Sequence, residues 1–168
     1  DAANSRWFFF NSTSRPFGMV NLSPDNAVQS DWGAGYRYQQ DSIKCFSHIH
    51  DWQLSGIPVL PTTGEFKGHL GASVYGSPFS HAKEIAKPGY HEVFLEAYQI
   101  KAQLTATTRV GFHQYTYPTS DKSHILIDLA TFLGPSDTQK SFVKQVNEHR
   151  LEGYVIMAPS LRRPKVLP

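Results

Sequence analysis

Ile100-Lys101-Ala102-Gln103-Leu104-Thr105-Ala106-Thr107 alternates apolar and polar side chains without a break. Successive side chains of a β-strand point to opposite faces, so the pattern predicts a strand with one face in a core and the other in water. Working outward, Glu92-Val93-Phe94-Leu95-Glu96-Ala97 precedes it, with Tyr98-Gln99 as a tight connection. Val110-Gly111-Phe112-His113-Gln114-Tyr115-Thr116-Tyr117 follows, then a Pro118-Thr119-Ser120-Asp121 turn, then a strand from Ser123 to Leu129. Four successive strands joined by short turns predict an antiparallel meander. Their number predicts an all-β antiparallel sandwich.

Elsewhere the signals are shorter. Phe17-Gly18-Met19-Val20-Asn21-Leu22 predicts a strand ended by the turn formers Ser23-Pro24-Asp25-Asn26. Ile57-Pro58-Val59-Leu60 is apolar, but Pro58 and Pro61 place it at a sheet edge. Glu65 to Ser80 shows no period and predicts a long surface excursion. His81 to Ala86 fits a single helical turn stopped by Pro88-Gly89. Lys140 to Glu148 fits a short helix or an irregular strand, and Tyr154-Val155-Ile156-Met157 one more strand. The chain then ends in a Pro- and Arg-rich tail with no closing strand, the pattern of a fragment.

The 168 residues suffice for one domain with a real core. A net charge of +2 with scattered Lys and Arg lacks the basic stripe that nucleic acid requires. No apolar run is long enough to predict a membrane span, and the first residues do not read as a signal peptide. The single cysteine, Cys45, excludes an internal disulfide and a Cys-based zinc site. Aromatic residues make up 13% of the chain, with eight Tyr and three Trp, which suits both a sheet core and ring platforms for a ligand.

Chemistry is densest at Phe46-Ser47-His48-Ile49-His50-Asp51-Trp52. In a continuous strand His48 and His50 would share one face about 6–7 Å apart. Three readings of the pair stay open: metal ligands, imidazoles hydrogen-bonded inside a structured loop, or groups facing a ligand. The companions of a metal site (a Cys pair, a Glu four residues on, a cupin-type glutamate) are missing. Trp32, Trp52, Tyr36 and Tyr38 offer rings to a sugar or to the core. Glycoside hydrolysis needs two carboxyl groups, about 6.5–9.5 Å apart for inversion, and no pair stands out by spacing. Ser47 lacks a nucleophile elbow. The residues by themselves lack a complete catalytic machine.

Five ordered segments carry a resemblance. They are Arg15-Pro16-Phe17-Gly18-Met19-Val20-Asn21-Leu22-Ser23-Pro24-Asp25; Gly35-Tyr36-Arg37-Tyr38; Phe46-Ser47-His48-Ile49-His50 with Ser55-Gly56; Phe79-Ser80-His81 through Pro88-Gly89-Tyr90; and Leu104 through His113. Together, over about Arg15 to Tyr154, the chain resembles the amino-terminal domain of glycoside hydrolase family 92. It departs from the common pattern at Ile49, at Asp51-Trp52-Gln53 and at Trp7-Phe8-Phe9-Phe10-Asn11, all near the presumed pocket.

The resemblance implies a supersandwich-like β-sandwich, residues 1–168 as one domain, packed on a helical (α/α)6 barrel that this chain lacks. It implies an inverting exo-α-mannosidase, secreted or periplasmic, acting on mannose-containing glycans. It also implies Ca²⁺ dependence, with the calcium ligands, acid and base on the helical domain and none expected here. By position, Trp32, Tyr36, His48, His50, Asp51 and Trp52 are the expected substrate-binding wall. The isolated chain is expected to be inactive. The rival readings are a non-catalytic carbohydrate-binding module and a structural β-sandwich.

Overall fold

Strict alternation at the centre of the chain is answered by strict alternation of burial. In the computed structural model, which describes residues 13–28, 34–50, 54–130 and 136–159, Ile100, Ala102, Leu104 and Ala106 are buried, and the residues between them are half-exposed. The strands in chain order are β1 (Ser23–Asp25), β2 (Ser42–Ile43), β3 (Cys45–Ser47), β4 (Ile49–His50), β5 (Leu54–Ser55) and β6 (Val59–Thr63). A 3-10 turn at Gly68–Leu70 and the one-turn helix α1 (Ala72–Tyr75) come next. They lead to β7 (Ser77–Pro78), a 3-10 turn at His81–Lys83, and β8 (Ile85–Lys87). The remaining strands are β9 (Tyr90–Leu95), β10 (Ile100–Ala106), β11 (Gly111–Thr116), β12 (Ser123–Ile127), β13 (Ser136–Asn147) and β14 (Arg150–Pro159).

Two four-stranded antiparallel sheets form the body, in the orders β1-β3-β6-β12 and β11-β10-β9-β8. Leu22, Cys45, Phe46, Leu60 and Leu126 belong to the first layer or its approach; Val93, Leu95, Ile100, Ala102 and Leu104 belong to the second, and all ten lie in one core cluster. Each fully buried Leu or Ile contributes about 1.5–3 kcal/mol of transfer free energy. The core therefore holds the two sheets face to face as an antiparallel sandwich.

Local chemistry explains the connections. Pro88-Gly89 closes the β8–β9 hairpin with Gly89 at φ +75°, the left-handed backbone that glycine adopts without a steric penalty. The β9–β10 connection places Gln99 at φ +54°, and its side chain donates to the Glu96 carbonyl at 2.7 Å.

Several expectations need correction. The Phe17–Leu22 segment is not a strand. The strand is Ser23–Asp25, expected to be a turn, and it pairs with Ser47 back to Cys45. Pro24 is tolerated because β1 is an edge strand, where a missing N–H leaves no ladder gap. The apolar Ile57–Leu60 stretch feeds β6, which lies inside its sheet rather than at an edge. Its link to β3 is only the Phe46–Val59 pair, so Pro61 breaks no bond on that side. The meander is formed by β8 to β11; the strand after Pro118 crosses to the other sheet and pairs with β6. The Glu65–Ser80 excursion is only partly superficial, because Ala72, Tyr75, Ser77 and Phe79 are buried. Of the two alternatives for Lys140 to Glu148, the irregular strand holds: the stretch lies mostly in β13, whose pairing with β14 shifts register twice, in a long hairpin turned by Glu148-His149.

Candidate functional site: the histidine segment and its supports

The seven-residue stretch does not run as one strand. It breaks at His48, a bend between β3 and β4, so the alternation argument fails and the two imidazoles part company.

His50 turns inward and is 2% exposed. Its Nε2 lies 2.6 Å from Asp25 Oδ1, and its Nδ1 faces the Asn21 carbonyl at 2.5 Å. Ser47 Oγ donates to Asp25 Oδ2 at 2.6 Å and lies 3.4 Å from His50 Nε2. Both ring nitrogens therefore meet acceptors, the arrangement of an imidazolium paired with a carboxylate in the interior. Serine, histidine and aspartate meet here, but the hydroxyl bonds the carboxylate directly and all three are sealed from solvent. The group ties β1, β3 and β4 together and is no nucleophile. Asn21 completes the clamp: its side-chain amide donates to the His50 carbonyl at 2.8 Å, and its backbone N–H donates to the His48 carbonyl at 3.0 Å. Burial, with Asp25 close by, pushes the Cys45 thiol well up, which keeps it inert.

His48 turns the other way and stays half-exposed. Its Nε2 lies 2.8 Å from His113 Nε2, and His113 Nδ1 lies 2.7 Å from the Tyr115 hydroxyl. His113 and Tyr115 reach it from β11, where they alternate with exposed Phe112, Gln114 and Thr116. Phe46 underlies both, edge-on to His113 and stacked on Tyr115. Burial, reinforced by the neighbouring His48, lowers the His113 pKa to about 4, and burial likewise lowers that of His48.

Tyr36 is buried in a third cluster. Its hydroxyl donates to Glu84 at 2.8 Å, His81 Nδ1 lies 2.6 Å from Glu84 Oε2, and Tyr38 stacks on His81. His91, with no exposed surface, has Nε2 3.0 Å from Glu84 Oε1 but off the axis of a good hydrogen bond. Burial pulls the Glu84 pKa up, yet His91, His81 and Tyr36 outweigh it and hold the carboxylate below its ordinary range.

Of the six expected wall residues, the structure thus places Tyr36 and His50 in the interior and His48 at the half-exposed bend. Trp32, Asp51 and Trp52 lie outside the described residues. Residues that sequence reasoning missed are Asn21, Asp25, His113 and Tyr115. Asp25 hid inside a turn signature; His113 and Tyr115 carried a signal in their inward period on β11. Among the described residues no group of three or more His, Cys, Asp or Glu is arranged to hold a metal ion. The buried carboxylates are occupied: Asp25 as above, and Asp128 by the Tyr75 hydroxyl and the Ala130 N–H. Half-buried Glu84 and Glu92 are engaged too, the latter by Tyr90 and Gln103.

The described residues form an antiparallel β-sandwich whose polar clusters brace its loops. Residues 2–165 match the family described as the glycosyl hydrolase family 92 N-terminal domain, and the chain belongs to that family. It is similar to a family GH92 alpha-mannosidase from Bacteroides thetaiotaomicron, solved in complex with mannoimidazole, at 28% identity and a TM-score of 0.81. That match covers 95% of this chain and 23% of the mannosidase. The family GH92 inverting mannosidase of the same organism shares the fold, with 21% identity, a TM-score of 0.71, and coverage of 90% of this chain and 19% of that one. The chain therefore spans about a quarter of the first of these enzymes and less of the second. No curated protein matches it significantly. No described helix is long and apolar enough to cross a membrane.

Proposed function

We propose that this chain is the β-sandwich part of an inverting exo-α-mannosidase and forms one wall of its sugar pocket. The observation that carries the reading is the likeness to a family GH92 alpha-mannosidase at 28% identity over 95% of the chain. The occupied carboxylates support it. A general acid must hold a proton near neutral pH and a general base must reach a water, whereas Glu84 is held ionised and Asp25 is locked to His50. In this reading the acid and the base belong to the larger remainder of the enzyme. The same reading puts there the Ca²⁺ that the resemblance implies; among the described residues no group of three or more His, Cys, Asp or Glu is arranged to hold a metal ion.

Within this chain, the wall is His48 with Trp32, Asp51 and Trp52. Tyr36 and His50 serve that wall from behind: His50 anchors the bend through Asp25, and Tyr36 anchors its own segment through Glu84. In the complete enzyme, His48→Ala or Trp52→Ala should lower kcat/KM on α-mannosides about tenfold, the worth of a contact of about 1.4 kcal/mol. Thermal stability should change far less. Unchanged kinetics would remove those residues from the pocket. Mannoside binding by the chain alone, as tight as that of the complete enzyme, would favour a carbohydrate-binding module instead.

A further inference from the structure

The contact between His48 and His113 joins two identical atoms. Two ring nitrogens 2.8 Å apart bond only if one carries hydrogen and the other a lone pair. Which is which depends on the far side of His113, where Nδ1 meets the Tyr115 hydroxyl at 2.7 Å. Among the described residues that nitrogen is the only partner of the hydroxyl, and leaving a largely buried O–H without an acceptor is costly. Tyr115 therefore donates to His113 Nδ1. A neutral His113 then carries its hydrogen on Nε2 and donates it to His48 Nε2. A neutral His48 has one place left for its own hydrogen, Nδ1, which has no partner among the described residues.

We infer that Tyr115, acting through His113, holds His48 as the tautomer protonated at Nδ1, so that this site offers a hydrogen-bond donor to an oxygen of its ligand. The inference rests on the reading of His48 as a pocket residue and adds the polarity of what it recognises. The ligand group is an acceptor, such as a sugar hydroxyl, ring or glycosidic oxygen, and an ammonium at the same point is rejected. The burial that lowers the pKa of both imidazoles keeps each neutral at pH 7, as the chain of donors requires. Histidine free in water favours hydrogen on Nε2, so the opposite form at His48 is diagnostic. Tyr115 and His113 are positioning residues, because neither needs to touch the ligand.

The test is a two-bond ¹⁵N–¹H correlation spectrum of the ¹⁵N-histidine-labelled 168-residue chain at pH 7. The expected spectrum shows a pyrrole-type Nδ1 with a pyridine-type Nε2 for His48, and the reverse for His113. Tyr115→Phe keeps the ring over Phe46 and removes only the hydroxyl, and it should move the His48 Nδ1 signal toward the pyridine type. A wild-type His48 protonated at Nε2 overturns the inference, with no variant needed. So does a His48 signal that Tyr115→Phe leaves in place in a folded protein. In the complete enzyme, Tyr115→Phe should lower kcat/KM on methyl α-mannoside about 2–10-fold, the worth of one neutral hydrogen bond. A correct tautomer combined with unchanged kinetics for both His48→Ala and Tyr115→Phe would instead sink the pocket reading and leave the tautomer standing.

Discussion

His50 is held at both ring nitrogens inside the sandwich, and that sets the size of its effect. Removing one member of a buried, hydrogen-bonded pair strands the other charge, at about 3–5 kcal/mol. Asp25→Ala should therefore lower the urea midpoint by that equivalent with little change in slope. His50→Ala should do the same, and the double variant should lose much less than the sum, because the two share one interaction. Additive losses would show that the pair is not coupled. His113 governs acid stability. Its pKa falls from 6.5 to about 4 on folding, so the unfolded chain binds the proton first and stability falls as pH drops through that window. At 1.36 kcal/mol per pH unit the loss is about 3 kcal/mol. Glu84, whose pKa is depressed, adds a further loss only below its ordinary value of 4.5. His113→Gln should flatten the stability profile between pH 4.5 and 6.5. A slope equal to wild type would contradict the assignment.

The elements read best from sequence were those decided by a repeated local rule. β10 alternates over seven residues, and its boundaries match the alternation nearly residue for residue. Pro88-Gly89 announced a break, expected as the stop of a helical turn over His81 to Ala86; the structure makes it the loop of the β8–β9 hairpin, with Gly89 in the left-handed region. Gly89→Ala tests this: a Cβ there would meet only the Arg15 side chain at an ordinary 3.8 Å, so the cost is conformational, about 1–2 kcal/mol, measurable in thermal unfolding. No loss would mean the turn relaxes out of the left-handed region. Elements that depend on distant partners were not legible. β1 is a strand because β3 pairs with it and because Asp25 has His50 to meet, and neither fact lies in Ser23-Pro24-Asp25. The bend at His48 follows from Asn21 gripping the carbonyls of His48 and His50, a contact across 29 positions for His50 that no local pattern records. The β13–β14 hairpin, a two-stranded ribbon with exposed Phe142, Val143, Leu151 and Tyr154, has the weakest support. Its amides should exchange hydrogen well before those of β9 and β10 in the isolated chain. Equal protection would show a cooperative unit extending through the ribbon.

At the scale of the molecule, the fold and the family were legible because five motifs recur in order. The site was only half so. The density of chemistry at Phe46–Trp52 singled out a segment, but the direction of its histidine side chains needed the bend at His48. What the chain contributes is a frame: a closed core, three braced polar clusters, and one half-exposed imidazole whose Nδ1 has no partner among the described residues. None of the described carboxyl groups discussed above is free for acid–base work, which is why the proposed chemistry is divided between this domain and the rest of the enzyme. The direct measurement is hydrolysis of an aryl α-mannoside by the purified 168-residue chain and, in parallel, by the complete enzyme. The account predicts turnover by the complete enzyme alone. Turnover by the isolated chain, or a complete enzyme inert toward α-mannosides, would contradict it.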